Sequence, residues 1–372
     1  MSAMTVTDRP SVCVVNYNGM AYLADTLEAL VALGERLGEI VLVDNGSTDG
    51  SVDFVRRTFR EVQVRPLPVN RGAAAARNLG LEIARFDPVL FVDADIVVSA
   101  EALSSLLEVL AGHPDVVVAQ AVFAYRDRPH IVQLDVAYAH YLGMMAFRHR
   151  DMPRARLGHE PVESGSLLTG CFLIDRRRLH CPLRFEETCF YLFEDHDYGL
   201  QLRMTGHRIL AVPTAVVLHG EGTPGLSVRT EGHYRPVRVY HTIRNRWLVL
   251  LRLYQARTLV ATTPALLLYE VLQLVLCASR GWLREWWHAV RWVVRHRHLL
   301  LAQRRRLAAR RVLPDVRLLE AGPLPLRPEI RGQEGMKPVI TLLDFIFDTY
   351  WRVVAAPLLR WLERLRSSGN RS

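Results

Sequence analysis

The stretch Val89–Asp95 reads VLFVDAD, four apolar residues followed by two aspartates around an alanine. A continuous apolar run of this kind is typical of a strand that is buried on both faces of a sheet. Two similar runs lie upstream, Ser11–Asn16 (SVCVVN) and Glu39–Asp44 (EIVLVD), and helical patterns separate them. Strands that alternate with helices form βαβ units, so the first 220 residues predict an α/β domain with a mixed, mostly parallel sheet flanked by helices.

Polar residues follow each predicted strand directly. In open α/β sheets ligands bind at the carboxyl ends of the strands, so these residues are expected to converge on one edge. Two carboxylates at positions i and i+2, as in Asp93 and Asp95, suit a hard divalent cation and leave room on it for diphosphate oxygens. A solvated turn is the alternative for an isolated pair, and Asp195-His196-Asp197 repeats the spacing. The four polar groups are Asn16–Gly19, Asp44–Asp49, Asn70–Gly72 and Asp93–Asp95.

Two helix starts also carry residues with chemical potential. Asn70-Arg71-Gly72 precedes an alanine-rich helix, whose free N–H groups are able to bind an anion. Glu194-Asp195 opens another helix, where acidic residues either offset the helix dipole or include a general base. The chain has no G-x-G-x-x-G and no G-x-x-x-x-G-K-[ST]. Dinucleotide cofactors and P-loop phosphate transfer are therefore disfavoured.

The positive charge of the chain is concentrated in one segment. The formal net charge is +9, and residues 280–311 alone contain ten arginines and one glutamate. The remainder is close to neutral, so we expect an anionic lipid surface or anionic ligand as the partner of this segment, and no nucleic acid. Five cysteines without a C-x-x-C pair indicate a reducing compartment and argue against a disulfide framework or a zinc site.

The C-terminal third has the composition of a membrane-associated region. Residues 258–279 are apolar and about long enough for a bilayer, but Glu270 and Gln273 near the middle make insertion marginal. Four tryptophans interleaved with arginines follow, and the last helix has an apolar stripe from Leu343 to Leu358. We expect peripheral attachment to the inner face of the cell membrane. A single span at 258–279, or packing against the catalytic domain or a second subunit, is the alternative.

A set of ordered motifs resembles the family 2 glycosyltransferases, which adopt the GT-A fold. The resemblance covers roughly residues 10–250, and its later motifs are most similar to bacterial rhamnosyltransferase-type members. It implies a GT-A catalytic domain at 1–250 and a helical, arginine-rich C-terminal region at 251–372. The motifs are VVNYNG (14–19), VDNGSTDGS (43–51), NRGAAAARNLGL (70–81), FVDAD (91–95), TGCFLIDRR (169–177), FEDHDYGLQLRMTG (193–206) and RNR (244–246).

The resemblance implies roles for individual residues. Asp195 is then the general base, and Asp95 with His219 binds a divalent metal, Mg²⁺ or Mn²⁺. Asp44 accepts a hydrogen bond from the donor nucleotide, and Asp93 lies nearer the ribose. The residues expected to contact the nucleotide-diphosphate sugar are Asn18, Asp44, Asn70, Arg77 and Asp93.

The expected function is inverting transfer of a sugar, hexosyl or deoxyhexosyl, to an acceptor hydroxyl on a glycan or glycolipid. Such a reaction belongs to cell-surface polysaccharide or glycolipid assembly and takes place in the cytoplasm at the membrane. One alternative is a metal-dependent nucleotidyltransferase, which would use Asp93 and Asp95 but give no role to Asp195. Another is a catalytically silent binding protein on the membrane, which the intact Asp44, Asp95 and Asp195 argue against.

Overall fold

The computed structural model describes residues 9–220, 235–326, 331 and 334–369. The chain divides into two compact units. The first unit comprises Met1–Ala137, Arg148–Leu202 and His207–Arg235. The second comprises Tyr138–Phe147, Arg203–Gly206 and Pro236–Ser372. The assignment of catalysis to residues 1–250 stays a prediction.

The strands of the described residues, in chain order, are β1 (Ser11–Asn16), β2 (Glu39–Asp44), β3 (Val62–Pro66), β4 (Val89–Asp93), β5 (Ile96–Val97), β6 (Val116–Tyr125), β7 (Ile131–Leu134), β8 (Ala137–His140), β9 (Met144–Phe147), β10 (Met152–Pro153), β11 (Val162–Glu163), β12 (Cys171–Ile174), β13 (Arg208–His219) and β14 (Leu319–Glu320). The helices are α1 (Leu23–Ala32), α2 (Ser51–Thr58), α3 (Ala73–Ile83), α4 (Ala100–Gly112), α5 (Glu194–Met204), α6 (Pro236–Leu253), α7 (Ala256–Ser279), α8 (Leu283–Ala308), α9 (Lys337–Thr349) and α10 (Ala356–Gly369).

A large mixed sheet forms the core of the first unit, in the order β10-β7-β6-β12-β4-β1-β2-β3. Strands β3, β2, β1 and β4 run parallel, whereas β12 pairs antiparallel with both β4 and β6. Strand β13 pairs parallel with β6 and antiparallel with β5 and β11. The mixed α/β fold with flanking helices is therefore confirmed, with parallel pairing among the strands that carry the first motifs.

Strand β4 lies at the centre of this sheet because its residues are apolar on both faces. Val89, Leu90, Phe91 and Val92 are all inaccessible to solvent. Phe91 stacks on Phe172 of β12, with ring centroids 4.9 Å apart. Each such buried side chain contributes roughly 1.5–3 kcal/mol relative to exposure. This burial fixes the strand whose carboxyl end presents Asp93 and Asp95.

The second unit is mainly helical, as the sequence predicts for the C-terminal extension. Helices α6 and α8 pack along each other. Helices α9 and α10 are joined by a π-helical segment, Tyr350–Ala355, without a break. Strands β8, β9 and β14 form a separate three-stranded sheet.

Candidate active site

Strand register brings three polar strand ends together at one edge of the large sheet. Strand β1 pairs with β2 so that Asn16 is opposite Asp44. On its other side β1 pairs with β4, where Val15 is opposite Asp93. These strands are parallel, so their carboxyl ends all point to the same edge. The structure thus places these residues together although they lie far apart in the sequence.

Asp44 is buried and held by its neighbours. One carboxylate oxygen accepts hydrogen bonds from Asn16 Nδ2 at 2.7 Å and Ser47 Oγ at 2.5 Å, and the other accepts from the Ser47 amide at 2.9 Å. A carboxylate has about four lone-pair directions, so one direction stays open for a further donor. Asn16 Oδ1 is buried and has no hydrogen-bond partner in the described residues. Asp44 and Asn16 therefore have spare acceptor capacity of the kind that a nucleobase N–H group fills.

Asn18 and Asn70 use their side-chain oxygens to join neighbouring loops. Asn18 has a left-handed backbone (φ 50°), and its Oδ1 accepts from the Thr48 amide at 2.8 Å. Asn70 Oδ1 accepts from the Gly72 amide at 2.8 Å and from Asn45 Nδ2 at 3.0 Å. Both residues thus shape the loops at the strand ends. Direct contact with a donor stays a prediction for each.

Arg77 connects two acidic motifs through a buried guanidinium. It lies on α3, where Nη2 donates to Asp93 Oδ1 at 2.9 Å and Nη1 donates to Glu194 Oε1 at 3.2 Å. Its side chain is only 3% exposed, so it meets these two carboxylates rather than solvent. Burial raises the pKa of Asp93 to about 6, against the lowering effect of Arg77 and with added repulsion from Asp95. Arg77 is thus placed to orient both carboxylates.

Asp195 follows Glu194 at the start of α5 and has an altered acidity. Removal from solvent and the adjacent charge of Glu194 raise the pKa of the Asp195 carboxyl to about 7. The His196 amide, which donates to Asp195 Oδ1 at 2.7 Å, and the charge of Arg77 act in the opposite direction. A carboxyl group with a pKa near neutrality is suited to take up and release a proton at physiological pH.

Asp95 and His219 meet because short strand β5 pairs with the end of β13. His219 is opposite Ile96 in this pairing, and its Nε2 lies 3.3 Å from Asp95 Oδ2. On the other side of the ring, Nδ1 lies 2.5 Å from Gln133 Oε1 on β7. If Nδ1 carries the proton that this amide oxygen accepts, the Nε2 lone pair faces the Asp95 carboxylate. A cation between the two groups resolves that repulsion, so the pair fits a divalent metal.

Among the residues that the structure describes, few candidate metal ligands lie beside this pair. The residues that the structure describes contain no cluster of three or more His, Cys, Asp or Glu side chains arranged for a metal. Mg²⁺ commonly binds through one or two protein ligands together with substrate phosphates and water. Asp95 and His219 match that pattern better than a permanent, fully protein-ligated site.

Sequence reasoning missed one residue of this site, Gln133, and one contact, between Glu194 and Arg77. Gln133 lies in the segment 126–165, which has no clear periodicity and no recognised motif, so nothing in the sequence marks it. Glu194 was visible as an acidic helix start, but its contact with Arg77 depends on the docking of α3 against α5. The Glu194 Oε2 atom is buried without a hydrogen-bond partner in the described residues.

His196 is the residue that separates Asp195 from Asp197. It is buried, its Nδ1 lies 2.9 Å from Ser166 Oγ, and burial lowers the pKa of its ring to about 3. A neutral imidazole is therefore accommodated at this position. His196 contributes packing rather than charge to the site.

Comparison with known proteins gives similarities over parts of the chain. Residues 11–178 match the sequence model described as Glycosyl transferase family 2. An uncharacterized glycosyltransferase of Haemophilus influenzae is 32% identical over 100 residues, which are 26% of this chain and 40% of that protein. The poly-β-1,6-N-acetyl-D-glucosamine synthase of Staphylococcus epidermidis is 29% identical over 100 residues, 26% of this chain and 24% of that protein. The chain thus spans less than half the length of these two relatives.

A crystal structure of GalNAc-T7 with UDP, GalNAc and Mn²⁺ has a similar fold. It superimposes with a TM-score of 0.53 and 17% sequence identity, over 69% of this chain and 50% of that one. At this identity the similarity establishes the fold alone. Asp195 and His219 lie beyond the stretch 11–178 that matches the family model.

Proposed function

Because this chain belongs to the family 2 glycosyltransferases through residues 11–178, we propose that it transfers a sugar from a nucleotide diphosphate to an acceptor hydroxyl. One connected group of side chains carries the proposal. Asp93, Arg77 and Glu194 form a continuous chain of ion pairs next to Asp195, while Asp95 adjoins His219. This arrangement offers a donor-binding side and a proton-accepting side at one sheet edge.

The donor nucleotide is proposed to bind over the ends of β1 and β2. Asp44 has one open acceptor direction, and Asn16 Oδ1 lacks a partner in the described residues. Both favour a ligand that presents N–H groups, as a pyrimidine base does. Asn18, Asn70 and Asp93 are proposed to contact the donor between its base and its diphosphate.

The diphosphate is proposed to lie beside Asp95 and His219, which would hold a divalent cation, Mg²⁺ or Mn²⁺. When bound, that cation supplies positive charge for the phosphate oxygens of the leaving group. Gln133 fixes the ring of His219, and Arg77 keeps Asp93 oriented. These contacts hold His219 and Asp93 in place before a donor binds.

Asp195 is proposed to act as the general base. Its carboxylate takes the proton of the acceptor hydroxyl while that oxygen bonds to the anomeric carbon on the side opposite the nucleotide. The bond from the anomeric carbon to the diphosphate oxygen breaks, and the nucleoside diphosphate leaves with its electron pair. A single displacement inverts the anomeric centre. A positioned base of this kind contributes roughly 10²–10⁴-fold in rate.

The acceptor and location are proposed from the second unit. Its apolar and arginine-rich helices suit an enzyme that works on a glycan or glycolipid at the cytoplasmic face of a membrane, in polysaccharide assembly. Hexosyl or deoxyhexosyl transfer, including rhamnosyl transfer, fits the motif resemblance. A metal-dependent nucleotidyltransferase remains the rival, although it gives no role to Asp195.

The proposal is tested with a panel of nucleotide sugars and free nucleoside triphosphates, with Mg²⁺, Mn²⁺ or chelator. We expect at least one nucleotide sugar to protect the protein against thermal unfolding only with metal and to release nucleoside diphosphate slowly. The Asp95→Ala variant should lose both effects. Full activity in excess chelator contradicts the metal site, and release of pyrophosphate from a triphosphate favours the nucleotidyltransferase.

A further inference from the structure

We propose that the second unit binds one face of an anionic phospholipid bilayer and that α7 lies on that surface without crossing it. Helix α7 is 24 residues long, and an 18-residue stretch within it has a mean hydropathy of 1.8, so length and composition alone permit a span. Buried helices of soluble proteins can have the same length and composition. The contacts of α7 with α6, and of α6 with α8, distinguish a helix that crosses the bilayer from one that lies on its surface.

One face of α7 is apolar and open. At 100° per residue, Val260, Leu267, Val271 and Val275 fall within one narrow arc, and their exposures are 73%, 61%, 57% and 61%. The opposite arc is buried and includes Thr262 and Ala265. Between residues 260 and 278 the only charged residue is Glu270. An apolar strip of this size on a soluble surface marks an interaction site.

Glu270 is paired on the flank of α7 instead of facing the open strip. Arg246 of α6 donates to Glu270 Oε1 from Nη1 at 2.6 Å and from Nη2 at 2.7 Å. Arg246 is fully buried, donates from Nε to the Leu142 carbonyl, and lies 4.4 Å from the Tyr269 ring centroid. The middle of α7 is therefore fixed to α6 by this ion pair. The third nitrogen of the Arg246 guanidinium, Nε, also has an acceptor.

Helix α8 packs against α6, the helix that also holds α7 through the Arg246–Glu270 pair. The two helices pack along each other, and the Arg244 guanidinium of α6 lies 4.9 Å from the Trp292 ring of α8. Helix α8 contains seven arginines. At the centre of a spanning helix each arginine costs about 2.5–3.5 kcal/mol, against a few tenths gained for each leucine or valine. A membrane-crossing α7 would bring α6 and α8 to that depth, so the spanning arrangement is strongly disfavoured.

The exposed face of α8 has the composition of an interfacial helix. Leu283, Trp287, Val294 and Leu301 are exposed and share one arc with Arg291, His298 and Arg305. The buried residues Ala289, Val293, Leu300 and Leu307 lie on the opposite arc. Alternating apolar and arginine side chains suit the boundary between acyl chains and phosphate head groups. Charge complementarity therefore favours an anionic bilayer over a second copy of this basic chain.

Vesicle co-sedimentation of the full chain, without donor or acceptor, tests the surface. We expect binding to phosphatidylcholine vesicles that contain phosphatidylglycerol and much weaker binding to phosphatidylcholine alone. The double variant R291Q/R305Q should weaken binding roughly twenty-five-fold, at about five-fold for each arginine. L267D/V271D should abolish binding, whereas V312D, at another exposed valine, and R56Q/R57Q on α2 should bind like the wild type. Unchanged thermal unfolding checks that each variant is folded.

Amine labelling tests whether α7 crosses. Lys337 follows α7 and is the only lysine of the chain, and Arg56→Lys adds an amine before α7 in the first unit. A membrane-impermeant amine reagent is applied to spheroplasts and to inverted membrane vesicles, and peptides are mapped by mass spectrometry. We expect both positions to be modified from the same side. Modification from opposite sides overturns the proposal.

Two further results would also overturn it: equal binding of the L267D/V271D variant, or a stable dimer that ignores anionic vesicles. The second would make the apolar strip a contact between copies. The proposal rests on the proposed function only for its biological setting. Vesicle binding with no donor turnover would reject the glycosyltransferase proposal while leaving this one intact, and the reverse result would do the opposite.

Discussion

Glu194 and Asp195 are adjacent carboxylates that the structure treats differently. Glu194 is paired with Arg77, whereas Asp195 lies beside that pair without sharing its closest contact. Burial raises the pKa of Asp195 most, and the adjacent charge of Glu194 adds to this effect. The Arg77 guanidinium donates a hydrogen bond to Glu194, so the two neighbouring carboxyl groups have different environments and suit different roles.

The Asp195→Asn variant separates proton transfer from donor binding. The amide keeps the size of the side chain but cannot accept a proton, so single-turnover transfer should fall roughly 10²–10⁴-fold. Donor and metal affinity, measured by calorimetry, should stay within a few-fold of wild type. Asp95→Asn is the matched control and should weaken metal and donor binding together. Equal loss of donor binding in both variants would place Asp195 in the metal site.

The acidity of Asp195 should appear in the pH profile. A base is active only when it is deprotonated, so kcat/KM should be constant above about pH 7 and fall as the pH drops through that value. Glu194→Gln removes a neighbouring negative charge, which should lower the pKa of Asp195 and move the decline to lower pH. If kcat/KM of the Glu194→Gln variant declines at the same pH as that of the wild type, the group that titrates is not Asp195.

Short strand pairings between distant segments bring together Asp95, His219 and Gln133. Strand β5 has two residues, yet its pairing with β13 brings Asp95 to His219. Strand β7 then contributes Gln133 to the other side of the same ring. The proposed metal position therefore depends on three separate elements of the sheet.

Gln133→Leu tests the contribution of β7. If Nδ1 of His219 carries the proton, loss of the Gln133 amide oxygen removes an acceptor that orients the ring, and metal affinity should fall roughly 10–100-fold. A calorimetric titration with Mn²⁺ measures the metal affinity of each variant and needs no turnover. Gln133→Glu keeps an acceptor at this position and should retain affinity close to wild type. Equal affinity in the leucine variant would show that His219 is oriented by other contacts.

The pair between α6 and α7 gives a prediction for stability. Glu270→Leu leaves the Arg246 charge buried without its carboxylate and should lower the free energy of unfolding by about 3 kcal/mol. This is the lower end of the range for breaking a buried pair, chosen because Glu270 is partly exposed. The double variant R246L/E270L removes both charges and should recover most of the loss, as measured by denaturant unfolding. A double variant as unstable as Glu270→Leu would mean that the helices need the ion pair itself.

Elements with strong local patterns were predicted well from the sequence. The runs Ser11–Asn16 and Glu39–Asp44 were predicted as strands and are β1 and β2 without change, and the alanine-rich helix predicted after Gly72 is α3. The segment 126–165 forms β7 to β11 from short pieces whose pairing depends on neighbouring strands, so no local period reveals them. Residue types and order therefore predicted the fold and the main acidic residues, whereas the supporting contacts needed the tertiary structure.

The last helix shows how backbone geometry alters a predicted apolar stripe. Phe347 and Trp351 are buried as the stripe predicts, but Val354 and Leu358 are exposed. The π-helical turn Tyr350–Ala355 has more residues per turn than an α-helix and shifts the buried line to Ala355 and Leu359. The sequence shows the apolar residues, but the extra residue in the turn decides which of them face inward.

At the scale of the whole molecule, the acidic candidate site and the basic helix α8 belong to different units. The carboxylates of the candidate site belong to the first unit, and the exposed arginines of α8 belong to the second. A ligand of one unit should therefore stabilise that unit in particular.

Hydrogen exchange measures this separation. A nucleotide-sugar donor with Mn²⁺ should protect amides near Asp44 and Asp95, whereas anionic vesicles should protect 260–275 and 283–305. A donor at about 100 times its Kd adds roughly 2.7 kcal/mol to local stability. Asp95→Ala should lose the first protection and keep the second. Vesicle-induced protection confined to the first unit would contradict the proposed roles of the units.

The pairing of β5 with β13 has a consequence during synthesis of the chain. A ribosome that has translated as far as residue 178 has produced Asp93 and Asp95, but neither Asp195 nor His219 exists yet. The proposed metal pair, Asp95 with His219, cannot assemble until the segment ending at His219 has left the exit tunnel and added β13 beside β6. A nascent polypeptide that stops short of His219 therefore lacks half of this pair, and the proposed metal position is complete only when the last strand of the large sheet along the chain is in place.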